Sequence, residues 1–196
     1  MQLVFATHNP NKLKEVQILF PKEIKLLSLE DIGCMDEIPE TANDLEGNAT
    51  IKANFVTENY GYPCFADDTG LLVDALDGAP GVYSARYAGE QKNADDNMDK
   101  LLLQLDNQSK RSAHFKTVIA LNLKNEQLLF KGIVQGEITT QKKGGKGFGY
   151  DPIFMPKGYD KTFAELPISV KNKISHRAKA IEQLLAFFKN RTHVNK

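Results

Sequence analysis

Two adjacent carboxylates, Asp67 and Asp68, stand in the stretch FADDTGLLVDALDGAPGVYSARYAG (65–89), after the apolar residues 64–66 and just ahead of Thr69 and Gly70. An apolar run that passes to acids and then to glycine reads as a strand end delivering carboxylates to a site. Neighbouring acids repel, so the pair calls for a counter-charge, and a divalent cation is the usual one. A solvated Asp-Asp-Thr-Gly turn fits these residues equally well. Other positions with chemistry to offer must decide.

The run Thr7, His8, Asn9, Pro10, Asn11, Lys12 breaks a short apolar strand expected over 3–6. Asn9 as N-cap with Pro10 behind it predicts a helix carrying Leu13, Val16, Leu19 and Phe20 on one face. A strand opening into a capped helix offers backbone N–H groups to an anion. Thr7 and Asn9 add side-chain donors and Lys12 adds charge. The pattern G-x-x-x-x-G-K-[ST] is absent, so this is not a P-loop. Residues 142–152, KKGGKGFGYDP, set Phe148 among four glycines, where backbone can approach a flat ligand. Ser175 as an N-cap would place His176 and Arg177 in a first helical turn, against the helix dipole. Such residues are tolerated more easily where they meet an anion or acceptor atoms. The alternative is a helix starting near Ser169, with Lys171 and His176 about 140° apart around it.

These groups need elements to hold them. A second strand is expected over 24–29, then an acidic loop over 31–41 carrying Asp36, Glu37 and Glu40. Asn43 and Glu46 have capping-box spacing. They predict a helix to about Tyr60 with Leu45, Ala49 and Phe55 inward, Lys52 on it, and Gly61 and Pro63 ending it. A helix from 93 to about 105 carries the stripe Met98, Leu101, Leu102 and Leu105. Alternation over 111–123 and 127–140, around Lys124-Asn125-Glu126, predicts a long antiparallel hairpin. Gly132 and Gly136 in its second arm mark a bulge or a close backbone approach. A strand resumes at Ile153 and Phe154. The last helix turns Ala178, Ile181, Leu184, Leu185 and Phe188 inward. Helices interleaved with strands and one hairpin predict a three-layer α/β fold on a mixed sheet, as a single domain over 1–196.

The chain has 196 residues, with Lys+Arg and Asp+Glu both at 25. Zero net charge argues against non-specific binding to nucleic acid or a membrane surface. Cys34 and Cys64 lack metal-ligand spacing and a disulfide framework, so reduced thiols in a cytoplasmic protein are expected. MQLVFATHNP has no basic n-region or long apolar core, so it does not read as a signal peptide. No run reaches membrane-spanning length.

Taken together, a phosphate-type turn, an acidic pair with Glu40 as a further acid, an aromatic on a glycine-rich loop and a His-Arg helix start are what a nucleoside triphosphate enzyme needs. Phosphates take donors and cations, and Mg²⁺ takes a few carboxylates plus phosphate oxygens. FATHNPNKLKE (5–15), GNATIKA (47–53), residues 65–89, KGFGYDPIF (146–154) and ISHRAKA (174–180) resemble, in order, the inosine triphosphate pyrophosphatase (Ham1-like) family. The resemblance implies Mg²⁺-dependent hydrolysis of ITP, dITP and XTP, non-standard purine nucleoside triphosphates, to the monophosphate and pyrophosphate. It implies an elongated mixed α/β fold of two lobes around a central cleft, usually in a homodimer. Carried over, Thr7, His8, Asn9, Pro10, Asn11 and Lys12 hold phosphate with Lys52 assisting. Asp68 and Glu40 are the metal-site carboxylates, with Glu37 the competing choice for the second. Asp68 activates the attacking water, Thr69 contacts substrate and Asp67 supports. Phe148 stacks on the base, Gly149, Tyr150 and Asp151 shape its pocket, and Lys171, His176 and Arg177 supply donors. Lys146 departs from the glycine that many relatives carry. Two rivals remain: a non-catalytic purine-nucleotide sensor, and an aspartyl-nucleophile phosphatase. The phosphatase would want Asp-x-Asp, but Thr69 stands two after Asp67.

Overall fold

The structure, a computed structural model, describes residues 1–194. Its strands are β1 (Gln2–Phe5), β2 (Lys25–Leu27), β3 (Cys64–Val73), β4 (Pro80–Gly81), β5 (Ser112–Leu123), β6 (Glu126–Ile138) and β7 (Phe154–Pro156). Its helices are α1 (Pro10–Leu19), α2 (Leu45–Tyr60), α3 (Ala94–Gln104), α4 (Ile168–Ile174) and α5 (His176–Val194). The strands make one sheet in the order β2, β1, β3, β5, β6, β7, with β4 on β3. β1 runs parallel to β2 and β3, whereas β4 and β7 run antiparallel to β3 and β6. This mixed, helix-flanked sheet is the α/β class expected from the interleaved elements. The chain divides into two compact units. One is Met1–Asp68, Thr117–Gly132 and the chain from Arg177; the other is Thr69–Lys116 and Ile133–His176.

In the first unit, α1 starts as the sequence predicts. The Asn9 side chain accepts from the backbone N–H of Asn11 and Lys12, and Pro10 occupies the first turn. The core joins Leu3, Phe5, Val16, Phe65, Ile119 and Leu121 to Ile181 and Leu184 of α5. The Phe65 ring stacks on Phe5 at 4.6 Å and on Phe20 at 5.4 Å. Each such pair contributes about 0.5–1.5 kcal/mol beyond its buried area, which fixes β3 two residues ahead of the acids. The cap of α2 is Asp44, accepting from the Gly47 N–H at 2.7 Å, and not the expected Asn43. An ionised acceptor at the positive helix end is the stronger cap. Gly47 lets the incoming loop lie close, since a Cβ there would sit 2.5 Å from the Ala42 Cβ. Asn48, Lys52, Ala53 and Val56 face inward with Leu45 and Ala49, while Phe55 is only half-buried. Gly61 closes the helix at φ 73°, the left-handed geometry that favours glycine.

In the second unit, Asn93 caps α3 through the N–H groups of Asp95 and Asp96. Met98, Leu101 and Leu105 pack with Phe115, Val134, Ile153, Phe154 and Phe163. Gly136 is the expected close approach: a Cβ there would lie 2.3 Å from the Met155 carbonyl oxygen. Residues 151–153 form a single 3₁₀ turn, so the strand resumes one residue late, at Phe154. Ser175 has extended backbone and separates α4 from α5, so the helix beginning at His176 and a shorter one before it both exist. Cys34 and Cys64 are buried free thiols. Among the described residues, no helix is long and apolar enough to cross a membrane.

Candidate active site

The acidic pair does not end a strand. β3 runs through Asp67 and Asp68 to Val73. Successive strand residues point to opposite faces, so the two acids meet different neighbours, and neither face must carry both charges. That lessens the repulsion from which a shared counter-charge was inferred, and the apolar-to-acid-to-glycine pattern read as a strand end lies inside a strand that continues.

Asp67 is sealed, at 1% exposure. Its Oδ1 accepts from Lys12 Nζ at 2.9 Å, and its Oδ2 accepts from Arg177 Nε and Nη2, both at 3.1 Å. Arg177, itself 2% exposed, donates Nη1 to Glu15 Oε2 at 2.6 Å. The result is an alternating row of Lys12, Asp67, Arg177 and Glu15, sealed apart from the half-buried Lys12. Burial raises the Asp67 carboxyl pKa, but Lys12 and Arg177 outweigh it and hold the acid well below the usual carboxylate range. Burial presses the Lys12 pKa down more than Asp67 raises it. Burial opposes the Arg177 charge, and Asp67 with Glu15 more than restores it.

Asp68 faces a different set. Asn48 Nδ2 donates to its Oδ2 at 3.2 Å, and Lys52 Nζ lies 3.6 Å from its Oδ1. The same ammonium donates to Glu40 Oε1 at 2.5 Å. Burial pushes the Asp68 pKa up; Lys52 and Lys12 pull it down, Glu40 pushes it up again, and the net result is raised. For Lys52, burial lowers the pKa, but Asp68 and Glu40 overcome this and raise it. Lys52 is therefore not the solvated helical lysine that its sequence context suggests; it is 7% exposed. Glu40 is the loop acid that reaches Lys52, while Glu37 is exposed. Asp68 and Glu40 present carboxylate oxygens gathered on one ammonium. Among the described residues, no three His, Cys, Asp or Glu side chains gather tightly enough to hold an ion. A carboxylate pair suits Mg²⁺, which binds through one or two carboxylates and completes its shell with phosphate oxygens and water.

In the turn before α1, Thr7 Oγ1 accepts from Asn9 N at 3.2 Å, and His8 Nε2 lies 2.9 Å from the Asp36 carbonyl oxygen. The first helical N–H groups of Asn11 and Lys12 are occupied by Asn9. An anion here would be met by side chains more than by the helix end.

In the second unit, Asp151 Oδ2 accepts from Lys171 Nζ at 2.5 Å and from the Phe148 N–H at 2.8 Å. The Lys171 ammonium lies 4.8 Å from the Phe148 ring centroid. Gly147 is required: φ is +78°, and a Cβ would fall 2.0 Å from Asp151 Oδ2. The buried His176 ring stacks on Phe115 at 4.5 Å. Thr69 is half-buried in β3, and Gly149 has φ +62°. Tyr150 is buried and donates its hydroxyl to the Ser84 carbonyl at 2.8 Å. Lys171 thus accompanies Phe148, His176 packs on Phe115, and Arg177 accompanies Asp67.

Residues 81–89, chemically silent in the sequence, have a structural task. Ser84 Oγ accepts from the Leu71 N–H at 2.9 Å and donates to the Gly81 carbonyl at 2.6 Å. With Tyr150 on its own carbonyl, Ser84 ties β3 to the Phe148 loop. Sequence reasoning passed over Glu15 and Asn48. Asn48 lies one turn before Lys52 on α2, a spacing that puts both on one face. It also accepts from Ala42 N at 2.9 Å, pinning the loop that carries Glu40. Glu15 gave no local signal.

Comparison with known proteins matches this arrangement to one family. The Ham1 family description matches residues 3–187. The chain is 64% identical to the dITP/XTP pyrophosphatase of Flavobacterium johnsoniae over 185 residues, covering 94% of this chain and 96% of that one. Its fold superposes on the Staphylococcus aureus Ham1 protein with TM-score 0.89, at 40% identity, over 97% of this chain and 100% of that one. The HAM1 protein of Coxiella burnetii gives TM-score 0.90 at 39% identity, over 97% and 99%. The chain belongs to the Ham1 family.

Proposed function

We propose that this protein hydrolyses the non-standard purine nucleoside triphosphates dITP, XTP and ITP to the monophosphate and pyrophosphate. The observation that carries the reading is the division within the acidic pair. Asp67 is fully neutralised by Lys12 and Arg177, while Asp68 stands with its proton affinity raised beside Glu40, Lys52 and Asn48. The family and the 64% identity to a dITP/XTP pyrophosphatase support it.

Asp68 and Glu40 would hold Mg²⁺, which when bound neutralises phosphate charge and makes a coordinated water more acidic. Asp68 accepts the proton of the water that attacks the α-phosphorus, and pyrophosphate leaves. Asn48 holds Asp68 Oδ2 in place through that step. Lys12 and Lys52 offer ammonium groups to the phosphates, with Thr7, His8, Asn9, Pro10 and Asn11 forming the turn around them and Thr69 following Asp68. Asp67 and Arg177 fix Lys12 from the buried side. Phe148 offers its ring to the purine. Gly149, Tyr150 and Asp151 shape the loop, and Lys171 with His176 offers donors to the 6-carbonyl that hypoxanthine and xanthine share. Adenine presents an amine there and would leave a buried donor unpaired, a mismatch worth roughly 10⁴-fold in selectivity. The family likeness supports a homodimer, and the free thiols Cys34 and Cys64 support a cytoplasmic setting.

The test is product analysis with Mg²⁺ and each of ITP, dITP, XTP and ATP. The reading expects pyrophosphate and monophosphate in equal amounts from the first three and little from ATP. Orthophosphate as the first product would overturn it, and nucleotide binding without any product would point to a sensor.

A further inference from the structure

Lys52 occupies an unusual place for a residue expected to hold phosphate. Its ammonium is 2.5 Å from Glu40 Oε1 and 3.6 Å from Asp68 Oδ1, the two carboxylates suited to a divalent ion. The helix face that carries it is anchored, because Asn48 one turn earlier holds both Asp68 Oδ2 and the Ala42 N–H. Glu40 lies on a loop without regular structure and is partly exposed, and that ammonium and the Ala42 tether both help to place it. Four carboxylates (Glu15, Glu40, Asp67, Asp68) and three cations (Lys12, Lys52, Arg177) meet here.

We propose that Lys52 is a resident cation for the Asp68 and Glu40 pair, holding the two acids together until a divalent ion displaces it. The inference rests on the ion-binding role given to that pair above. A Mg²⁺ ion binds carboxylate oxygens at about 2.0–2.1 Å. Bound to the same oxygens, it would lie within a few ångströms of the ammonium. Two cations at that distance in a water-poor site repel strongly. The ion is fixed by its ligands, whereas the lysine head sits on a flexible four-carbon stem, so the lysine moves. Its charge then becomes available to the phosphates that arrive with the ion. Ion binding and phosphate binding are thereby coupled through one side chain, and the ion-free protein keeps its two acids in place without their mutual repulsion.

The test is Mn²⁺ binding to the nucleotide-free protein, followed by the paramagnetic resonance signal of free Mn²⁺. Thermal midpoints with and without Mn²⁺ provide a second readout. Lys52→Met and Lys52→Gln both remove the competing charge. Each is expected to bind Mn²⁺ at least about tenfold tighter than wild type. Each should melt lower than wild type without the ion and gain more on adding it. Lys52→Arg keeps the charge and is expected to stay within about threefold of wild type, or weaker. Asp68→Asn is expected to lose the site. Unchanged or weaker Mn²⁺ affinity in both neutral variants, with Asp68→Asn still abolishing binding, would overturn the resident-cation inference alone. Binding that Asp68→Asn leaves untouched would overturn the assignment of the ion pair, and the inference with it.

Discussion

The two faces of β3 put neighbouring residues of the same type to opposite uses. On one face Asp67 is sealed between Lys12 and Arg177, every charge is matched, and the proton affinity of the acid is depressed. On the other face Asp68 shares one ammonium with Glu40, and its proton affinity is raised. Both acids are buried, but Asp67 pairs directly with Lys12 and Arg177, whereas Asp68 has the Glu40 carboxylate beside it to push its proton affinity up. A carboxylate with more than one buried cation becomes an anchor. A carboxylate that must share its cation with a second acid keeps a higher proton affinity. Alternation along the strand is what lets two such environments exist one residue apart.

That contrast can be broken by single substitutions. Asp68→Asn is expected to have the largest effect on function, lowering pyrophosphate release about 10³-fold or more, within the range for loss of a general base. It should leave stability unchanged or slightly higher. The folded protein holds the Asp68 proton more tightly than the unfolded chain does. Ionisation of this group therefore costs stability above its folded pKa, and the amide removes that cost. Urea unfolding checks this half of the expectation. Asp67→Asn should do the reverse, leaving Arg177 and Lys12 facing a neutral amide inside the protein. Removing one partner of a buried pair costs about 3–5 kcal/mol, seen as a lower urea midpoint. Glu15→Gln sharpens the comparison with a smaller effect, because Arg177 keeps Asp67. A loss of about 2 kcal/mol is expected, or roughly 4–8 °C in Tm for a chain of this size. A loss as large as that of Asp67→Asn would show that Glu15, not Asp67, is the main counter-charge of Arg177.

What the sequence made legible was mostly local. Asn9 and Pro10 announce the start of α1, Asn93 that of α3, and Lys124 with Asn125 the hairpin turn between β5 and β6. Each is a signal spanning a few residues. Among the candidate site groups, Asp68, Phe148 and Arg177 stood out by type and setting, whereas Lys52 and Lys171 drew a role only from the family resemblance. The way they assort did not. Arg177 meets Asp67 across 110 positions and Glu15 across 162, and no periodicity encodes such a pairing. Glu15, the last residue of the FATHNPNKLKE stretch, drew no role for the same reason. The acids looked like a strand end because polar residues usually mark one. A strand can run through them when each side chain finds a cation on its own face. Asp44 took the cap expected of Asn43 because the loop closes tightly over Gly47, a contact that spacing alone does not reveal.

The division within the acidic pair is tested most directly by a carboxyl ¹³C NMR titration of Asp67 and Asp68 in nucleotide-free, ion-free protein. The account expects Asp68 to titrate with a midpoint above the ordinary aspartate value of 3.8, and Asp67 to remain ionised below it. As pH falls, the Asp68 side should therefore take up its proton first. The stability contributed by Asp67 is present above the unfolded carboxyl pKa and is lost only later, as pH drops through its lower folded value. Equal midpoints, or Asp67 taking up its proton before Asp68, would contradict the account.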